Sequence, residues 1–333
     1  MNRLKTRDWV FIAIMAVSLI GCIFTVQTRS YFLYAFVPLV FAVFFYVEGK
    51  MKKSKLLLVK MFILFLVMMF ILYCAAVFTM TSSPIQGVRD IGSEKFLMGL
   101  DSMQSVTIPT LNGNMDGWLY KQSDKKAPLI IFFNGAGECS AKTLRKFYEE
   151  GVLSEYFAGC NLLCTDYPSY GLSEGDVSEA AMKRMAIDTF DTAVTWDFVD
   201  TSAVTAIGYS IGTGPASYLA SRRDLASLVL LAPYDEHWEL TLHNAQRNQK
   251  APVIKKTFYR ILWGYNVDPY DYAKSIDEPV LIIASTLDTT ITHASSMRVA
   301  ERIKNCKVVT LADVRHEHLL SKPSYEAIKE FYI

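Results

Sequence analysis

The stretch Gly208-Tyr209-Ser210-Ile211-Gly212 constrains the fold of this chain more than any other. Residues 204–207 before it are apolar or β-branched and read as a buried strand. The residues after it read as a helix beginning near Ile211. The G-x-S-x-G spacing between the two is that of a sharp strand-to-helix turn, the nucleophile elbow. Glycines two residues before and after the serine remove side chains that would collide in so tight a turn. Ser210 is thereby pushed clear of the sheet at a helix N-terminus, where free N–H groups and a positive partial charge face a developing anion. A pattern this short also arises by chance as a plain Gly/Ser turn, so the rest of the chain has to agree with it.

Beyond residue 104 the agreement is in the order of elements. Strands at 105–108 and 118–120, joined through Asn112-Gly113, make an antiparallel start. Short apolar strands at 129–133, 161–166, 204–207, 228–231, 280–285 and 307–311 follow. Helical stretches at 142–156, 178–198, 211–221, 294–303 and 322–331 alternate with them. An irregular, cap-like helical stretch at 236–273 interrupts the series. Alternation of this kind predicts an α/β fold with a mostly parallel sheet flanked by helices. Such a sheet carries its site at the carboxyl ends of the strands.

That rule, taken with the chain order Ser, then Asp or Glu, then His that accompanies the elbow motif, selects partners for Ser210. A serine hydroxyl needs a base, the base an orienting acid, and the oxyanion its donors. Asp288 follows the 280–285 strand by a short turn and is the expected acid. Asp235 after the sixth strand is the best rival. Asp313 competes weakly, and Asp277 lies before its strand, at the wrong end. Of five histidines, only His316 and His318 lie after the last strand. His316 is nearer the strand end and is the expected base. His237, His243 and His293 come too early or lie beside the acid. The backbone N–H groups of Ile211 and Ala136 are the expected oxyanion donors, Ala136 lying in the turn Asn134-Gly135-Ala136-Gly137-Glu138. That turn lacks the Lys-Ser/Thr of a P-loop and the third glycine of a dinucleotide fingerprint.

The first quarter has a different character. Runs at about 9–26, 31–47 and 56–80 contain no Asp or Glu, and Lys60 is their one basic residue. A bilayer core needs roughly 20 helical residues, so residues 1–80 are expected to form a membrane domain of three transmembrane helices. A cleaved signal peptide for the first run would need a small-residue site that residues 23–26 do not supply. Arg3, Lys5 and Arg7 precede the first run, Arg29 alone lies in the first loop, and Lys50, Lys52, Lys53 and Lys55 lie in the second. The positive-inside rule then puts everything from about Thr81 on the extracytoplasmic side. Residues 81–104 read as a linker and 105–333 as the soluble domain. A net charge of +1 argues against a nucleic-acid partner. Cys160 and Cys164 flank or occupy one strand about 13 Å long, too far apart to bridge. No Cys/His spacing suits zinc, and Cys139, Cys160, Cys164 and Cys306 read as free thiols.

With these residues in hand, the chain from about Leu129 onward resembles the α/β-hydrolase superfamily, and within it the membrane-anchored BEM46-like or serine-aminopeptidase-like hydrolases. Phe133-Asn134-Gly135-Ala136-Gly137-Glu138 is similar to that group's oxyanion turn, with Asn134 where His or Gly is usual and Ala136 where Asn is usual. The stretch from Asp166-Tyr167-Pro168 to Gly175 is similar to its D-Y-x-G-Y-G-x-S-x-G loop, Ser169 replacing a Gly. Gly208 to Gly214 resembles its elbow, and Ala232-Pro233-Tyr234-Asp235 its P-[FY]-D-S turn, with Glu236 replacing Ser. The motif Val314-Arg315-His316-Glu317 lacks the common preceding Gly. The resemblance implies a Ser210, Asp288, His316 triad hydrolysing ester, thioester or amide bonds without a cofactor or metal. The expected substrate is an acyl-containing small molecule, a lipid or an acylated protein. The large apolar residues of 236–273, Trp238, Leu240, Leu242, Phe258, Tyr259, Ile261, Leu262 and Trp263 among them, suit an acyl chain or a membrane lipid surface, or else ordinary packing. A serine peptidase of the same fold and a non-catalytic membrane scaffold are the alternatives.

Overall fold

The computed structural model describes residues 87–111, 113–122, 124–247 and 265–332. The three apolar runs and the 248–264 part of the cap-like stretch lie outside them. Among the described residues no helix is long and apolar enough to cross a membrane.

The most apolar strands of the sequence form the middle of the sheet. β3 (Ala127–Phe133), β4 (Asn161–Thr165), β5 (Val199–Tyr209), β6 (Ser227–Leu231) and β7 (Val280–Ser285) are parallel neighbours, with their apolar residues almost wholly buried. Runs such as Leu-Ile-Ile-Phe-Phe suit a strand covered on both faces. β1 (Met103–Thr110) and β2 (Gly113–Tyr120) form the antiparallel edge, and β8 (Cys306–Leu311) closes the other edge in parallel. The order is β1-β2-β4-β3-β5-β6-β7-β8 across eight strands. β8 is half exposed along its length, as an edge strand can be.

Helices cover both faces. On one, Ile130, Phe132, Leu162 and Cys164 pack with Leu144 and Phe147 of helix Ser140–Glu149 and with Tyr325 and Ile328 of helix Lys322–Tyr332. Phe147 meets Phe132 edge-on at 5.3 Å and Tyr325 at 5.9 Å. On the other, Thr165 of β4 reaches Met185 of helix Glu179–Ala193, and that helix lies beside helix Thr213–Ala220.

Three expectations are corrected. The stretch read as a linker folds: Ile91–Leu97 is a helix capped by Asp90, whose carboxylate accepts from Ser93 N–H at 2.9 Å. Arg89 clasps Glu94 at 2.9 and 3.0 Å, Phe96 meets Tyr148 at 5.9 Å, and Leu97 is fully buried. Its seven residues show too little periodicity for the sequence to reveal them. The helix read at 142–156 is two, Ser140–Glu149 and Val152–Glu155, because Gly151 at φ 72° takes the left-handed conformation that ends a helix. The helix read at 178–198 stops at Ala193, and β5 begins at Val199.

Candidate active site

β3, β5, β7 and β8 deliver the expected residues to one end of the sheet. Ser210 follows β5 directly with φ 55°, the left-handed region that a side chain resists. Two glycines make the turn possible. A Cβ on Gly208 would come within 2.5 Å of the Gly212 carbonyl oxygen, and one on Gly212 within 2.2 Å of the Phe133 carbonyl oxygen. Real Cβ atoms do not approach so closely, so the elbow requires glycine at both positions.

The loops after β7 and β8 bring Asp288 and His316 to Ser210. The Asp288 carboxylate side chain is fully buried. One oxygen accepts from Thr290 N–H and Ile291 N–H, both at 2.8 Å, and the other from His316 Nδ1 at 2.7 Å. A carboxylate can only accept, so Nδ1 carries the proton and Nε2 is left as acceptor. Nε2 lies 2.9 Å from Ser210 Oγ. The two loops are stitched to each other: Ser285 Oγ donates to the Val314 carbonyl, Thr286 Oγ1 to that of Ala312 at 3.0 Å, and Thr286 N–H to that of Leu311 at 3.1 Å.

The rivals are engaged elsewhere. Asp235 accepts from Ser295 Oγ at 2.6 Å and pairs with Arg298, tying the turn after β6 to helix His293–Ala300. Asp313 and His318 are exposed. His237 is buried, and desolvation lowers its pKa to about 3. His243 reaches the Thr289 carbonyl at 3.1 Å, and His293 reaches Thr310 Oγ1 at 3.0 Å.

The Asn134–Glu138 turn lies against the elbow: a Cβ on Gly135 would sit 3.7 Å from Ser210 Cβ. Its carbonyls are taken. That of Asn134 accepts from Tyr167 Oη, that of Gly135 from Glu138 N–H at 3.3 Å, and that of Ala136 from Tyr170 Oη at 2.6 Å. In trans peptides this leaves the N–H groups of residues 135–137 turned the opposite way. Asn134, which departs from the family pattern, faces inward. Its Oδ1 accepts from Thr143 at 2.7 Å, and its Nδ2 approaches Cys164 Sγ at 3.1 Å. Asp166 anchors the tyrosine loop through Ser140 N–H at 2.6 Å and Ser140 Oγ at 2.8 Å. Burial raises the Asp166 pKa to about 6, against the opposing pull of those two bonds.

The sequence did not assign these supporting roles to Tyr167, Tyr170 and Ser285. In the cap-like stretch, Trp238 and Leu242 of helix His237–Arg247 are buried and Leu240 packs on the core. Phe258, Tyr259, Ile261, Leu262 and Trp263 lie outside the described residues. A cavity of about 350 Å³ opens between that helix and the Asp288 loop, with Leu240, Ile291, Asp235 and Arg298 on its walls.

Comparison with known proteins gives the same fold. No family model matches the chain. Alpha/beta hydrolase domain-containing protein 17B of Xenopus tropicalis is 25% identical over 203 residues, 61% of this chain and 65% of that protein. The human protein of that name matches at the same identity and coverage. The chain thus spans a little under two thirds of these curated relatives. Among solved structures, an esterase of Pyrococcus furiosus superposes with a TM-score of 0.59 at 19% identity, covering 74% of this chain and 96% of that one. Est1E of Butyrivibrio proteoclasticus, solved with ferulic acid bound, gives 0.53 at 23% identity, covering 68% and 97%. Sheet order, glycine-bracketed elbow and these relatives agree that the chain belongs to the α/β-hydrolase superfamily.

Proposed function

We propose that this chain is a membrane-anchored serine hydrolase that cleaves an acyl ester or thioester of a lipid or acylated substrate. The observation that carries the reading is the relay Ser210 Oγ, His316 Nε2, His316 Nδ1, Asp288, closed at 2.9 and 2.7 Å on a strained turn. In it His316 takes the Ser210 proton as Oγ attacks the acyl carbon. Asp288 keeps the proton on Nδ1 and stabilises the imidazolium that forms. The oxyanion is held by the N–H groups of Ile211 and Ala136. His316 then gives its proton to the departing alcohol or thiol. A water molecule loses a proton to His316, attacks the acyl-serine carbon and releases a carboxylic acid. Oγ regains its proton from His316.

The anchor is the proposed role of the runs at 9–26, 31–47 and 56–80, with the loop lysines holding the second loop in the cytoplasm and the hydrolase domain on the extracytoplasmic side. An enzyme confined to the bilayer surface gains most from substrates concentrated in lipid, which favours an acyl chain as the bound group. A fluorophosphonate probe should label the wild-type chain and leave Ser210→Ala unlabelled. Folded wild-type protein that stays unlabelled would sink the reading. A panel of acyl esters, thioesters and aminoacyl amides then ranks the bond type. A reporter active only in the cytoplasm, fused after Ile333, should stay silent, and a signal from it would reverse the orientation.

A further inference from the structure

Tyr209 fills the variable position before Ser210, where the elbow motif asks for no particular residue. Three contacts give it work. Its Oη donates to the His316 carbonyl at 2.7 Å. Its ring lies over the His316 imidazole, with centroids 5.4 Å apart and planes 26° from parallel. A Cβ on Gly135 would come within 3.0 Å of ring atoms Cδ1 and Cε1, so the phenol is also packed against the turn beside Ser210.

We propose that Tyr209 is a positioning residue for the hydrolytic reaction, holding the His316 imidazole in line with Ser210 Oγ through its hydroxyl and its ring. The proposal rests on the serine-hydrolase reading and adds a residue to it.

The loop that carries His316 gives the physical reason. Residues His316–His318 form a single 3-10 turn in which none is buried, and the strand before it is the half-exposed edge β8. Such a loop supplies few walls for its own side chain. The bond from Nδ1 to Asp288 fixes one ring atom and leaves the ring free to tilt about it. The stacked phenol opposes that tilt, and the Oη bond fixes the backbone from which the ring hangs. When His316 takes the serine proton it becomes a cation lying on an aromatic face, an attractive arrangement. Burial pushes the Tyr209 hydroxyl well above the ordinary tyrosine range, so it remains a donor at any pH the enzyme would meet. The contact with Gly135 couples the imidazole to the turn expected to hold the oxyanion.

The test uses the full chain in detergent, with a p-nitrophenyl ester for kcat and KM and a fluorophosphonate for the rate of Ser210 labelling. Tyr209→Phe keeps the ring and loses the donor, and should lower kcat about fivefold with KM little changed. Tyr209→Ala loses both contacts and should lower kcat on the order of 100-fold. In a His316→Ala background neither change should lower the residual rate by more than about twofold, because groups that act through one another are not additive. Equal kcat for Tyr209→Phe and wild type overturns the proposal. So does a loss of the same size with and without His316, which marks plain structural packing. If Tyr209→Ala does not fold, Tyr209→Phe in the two backgrounds decides alone. Absence of labelling in the wild type overturns the hydrolase reading, and the role of Tyr209 falls with it. Normal wild-type labelling with unaffected Tyr209 variants rejects the proposal alone.

Discussion

Asp288→Asn is the sharpest test of how the relay works, because it exchanges one acceptor oxygen for an NH2 donor and changes almost no volume. The buried carboxylate serves three donors: Thr290 N–H and Ile291 N–H at 2.8 Å on one oxygen, His316 Nδ1 at 2.7 Å on the other. An asparagine has one acceptor and one donor end. If the NH2 turned toward the two backbone N–H groups, it would leave two donors unpaired, at about 1–3 kcal/mol each. If the carbonyl stays with them, the NH2 faces Nδ1, which must then become an acceptor. One tautomer change is cheaper than two orphaned donors, so the second arrangement wins. It moves the imidazole proton to Nε2, which then donates to Ser210 Oγ and cannot accept its proton. The expected loss in kcat is on the order of 10⁴, or about 5.5 kcal/mol of transition-state stabilisation. Thermal stability should change little, since the backbone donors keep their partner. The assay is kcat on a p-nitrophenyl ester beside a melting curve. A variant retaining a tenth or more of the wild-type kcat would refute the tautomer argument.

Tyr170→Phe frees the Ala136 carbonyl from its 2.6 Å bond and should lower kcat about tenfold through a looser turn; equal kcat for wild type and variant would deny that turn an oxyanion role. Asp166 has its pKa raised from 3.8 to about 6, so its contribution is fully present below about pH 4 and lost as pH rises through 6. Relative to Asp166→Asn, the wild type should lose roughly 2 kcal/mol between pH 4 and 7 in urea unfolding, and parallel pH profiles would contradict this.

The site was legible to the extent that it depends on chain order. Gly208 is required by a clash with Gly212 and Thr213 in the same turn, which a sequence displays directly, whereas Gly212 answers to the Phe133 carbonyl of a neighbouring strand and was legible only through the spacing of the motif. Asp288 and His316 followed from their place after successive strands, since a parallel sheet collects all such positions at one edge. The short helix Ile91–Leu97 could not be read this way. It is held by an Asp90 cap, an Arg89–Glu94 clasp and packing on Tyr148, and two of those depend on residues within five positions that would suit a loop equally well. The support of the Asn134 turn was invisible for another reason. Tyr167 and Tyr170 reach it through bonds spanning 33 and 34 residues, and nothing local says which carbonyls they meet. Asn134 looked like a departure within the site, yet its amide is spent inside the fold on Thr143 and Cys164.

Backbone strain marks the same edge of the sheet. Among the described residues, the non-glycine residues at positive φ are Ser169, Ser210 and Ala232, at 67°, 55° and 49°. They fall after β4, β5 and β6, all at the carboxyl end. The strain at Ser210 serves chemistry, since glycine would relieve it but carries no hydroxyl. This can be measured by comparing two inactive variants. Ser210→Ala and Ser210→Gly both remove Oγ, and they differ in the Cβ that resists positive φ. Left-handed backbone costs a residue with a Cβ about 1–2 kcal/mol, and glycine returns about 0.4–1 kcal/mol of that through its freer unfolded chain. Ser210→Gly should therefore be the more stable of the two by roughly 0.5–1 kcal/mol, about 2 °C in melting temperature for a domain of this size. If alanine proves as stable as glycine there, the elbow is not strained, and the serine is presented by packing alone.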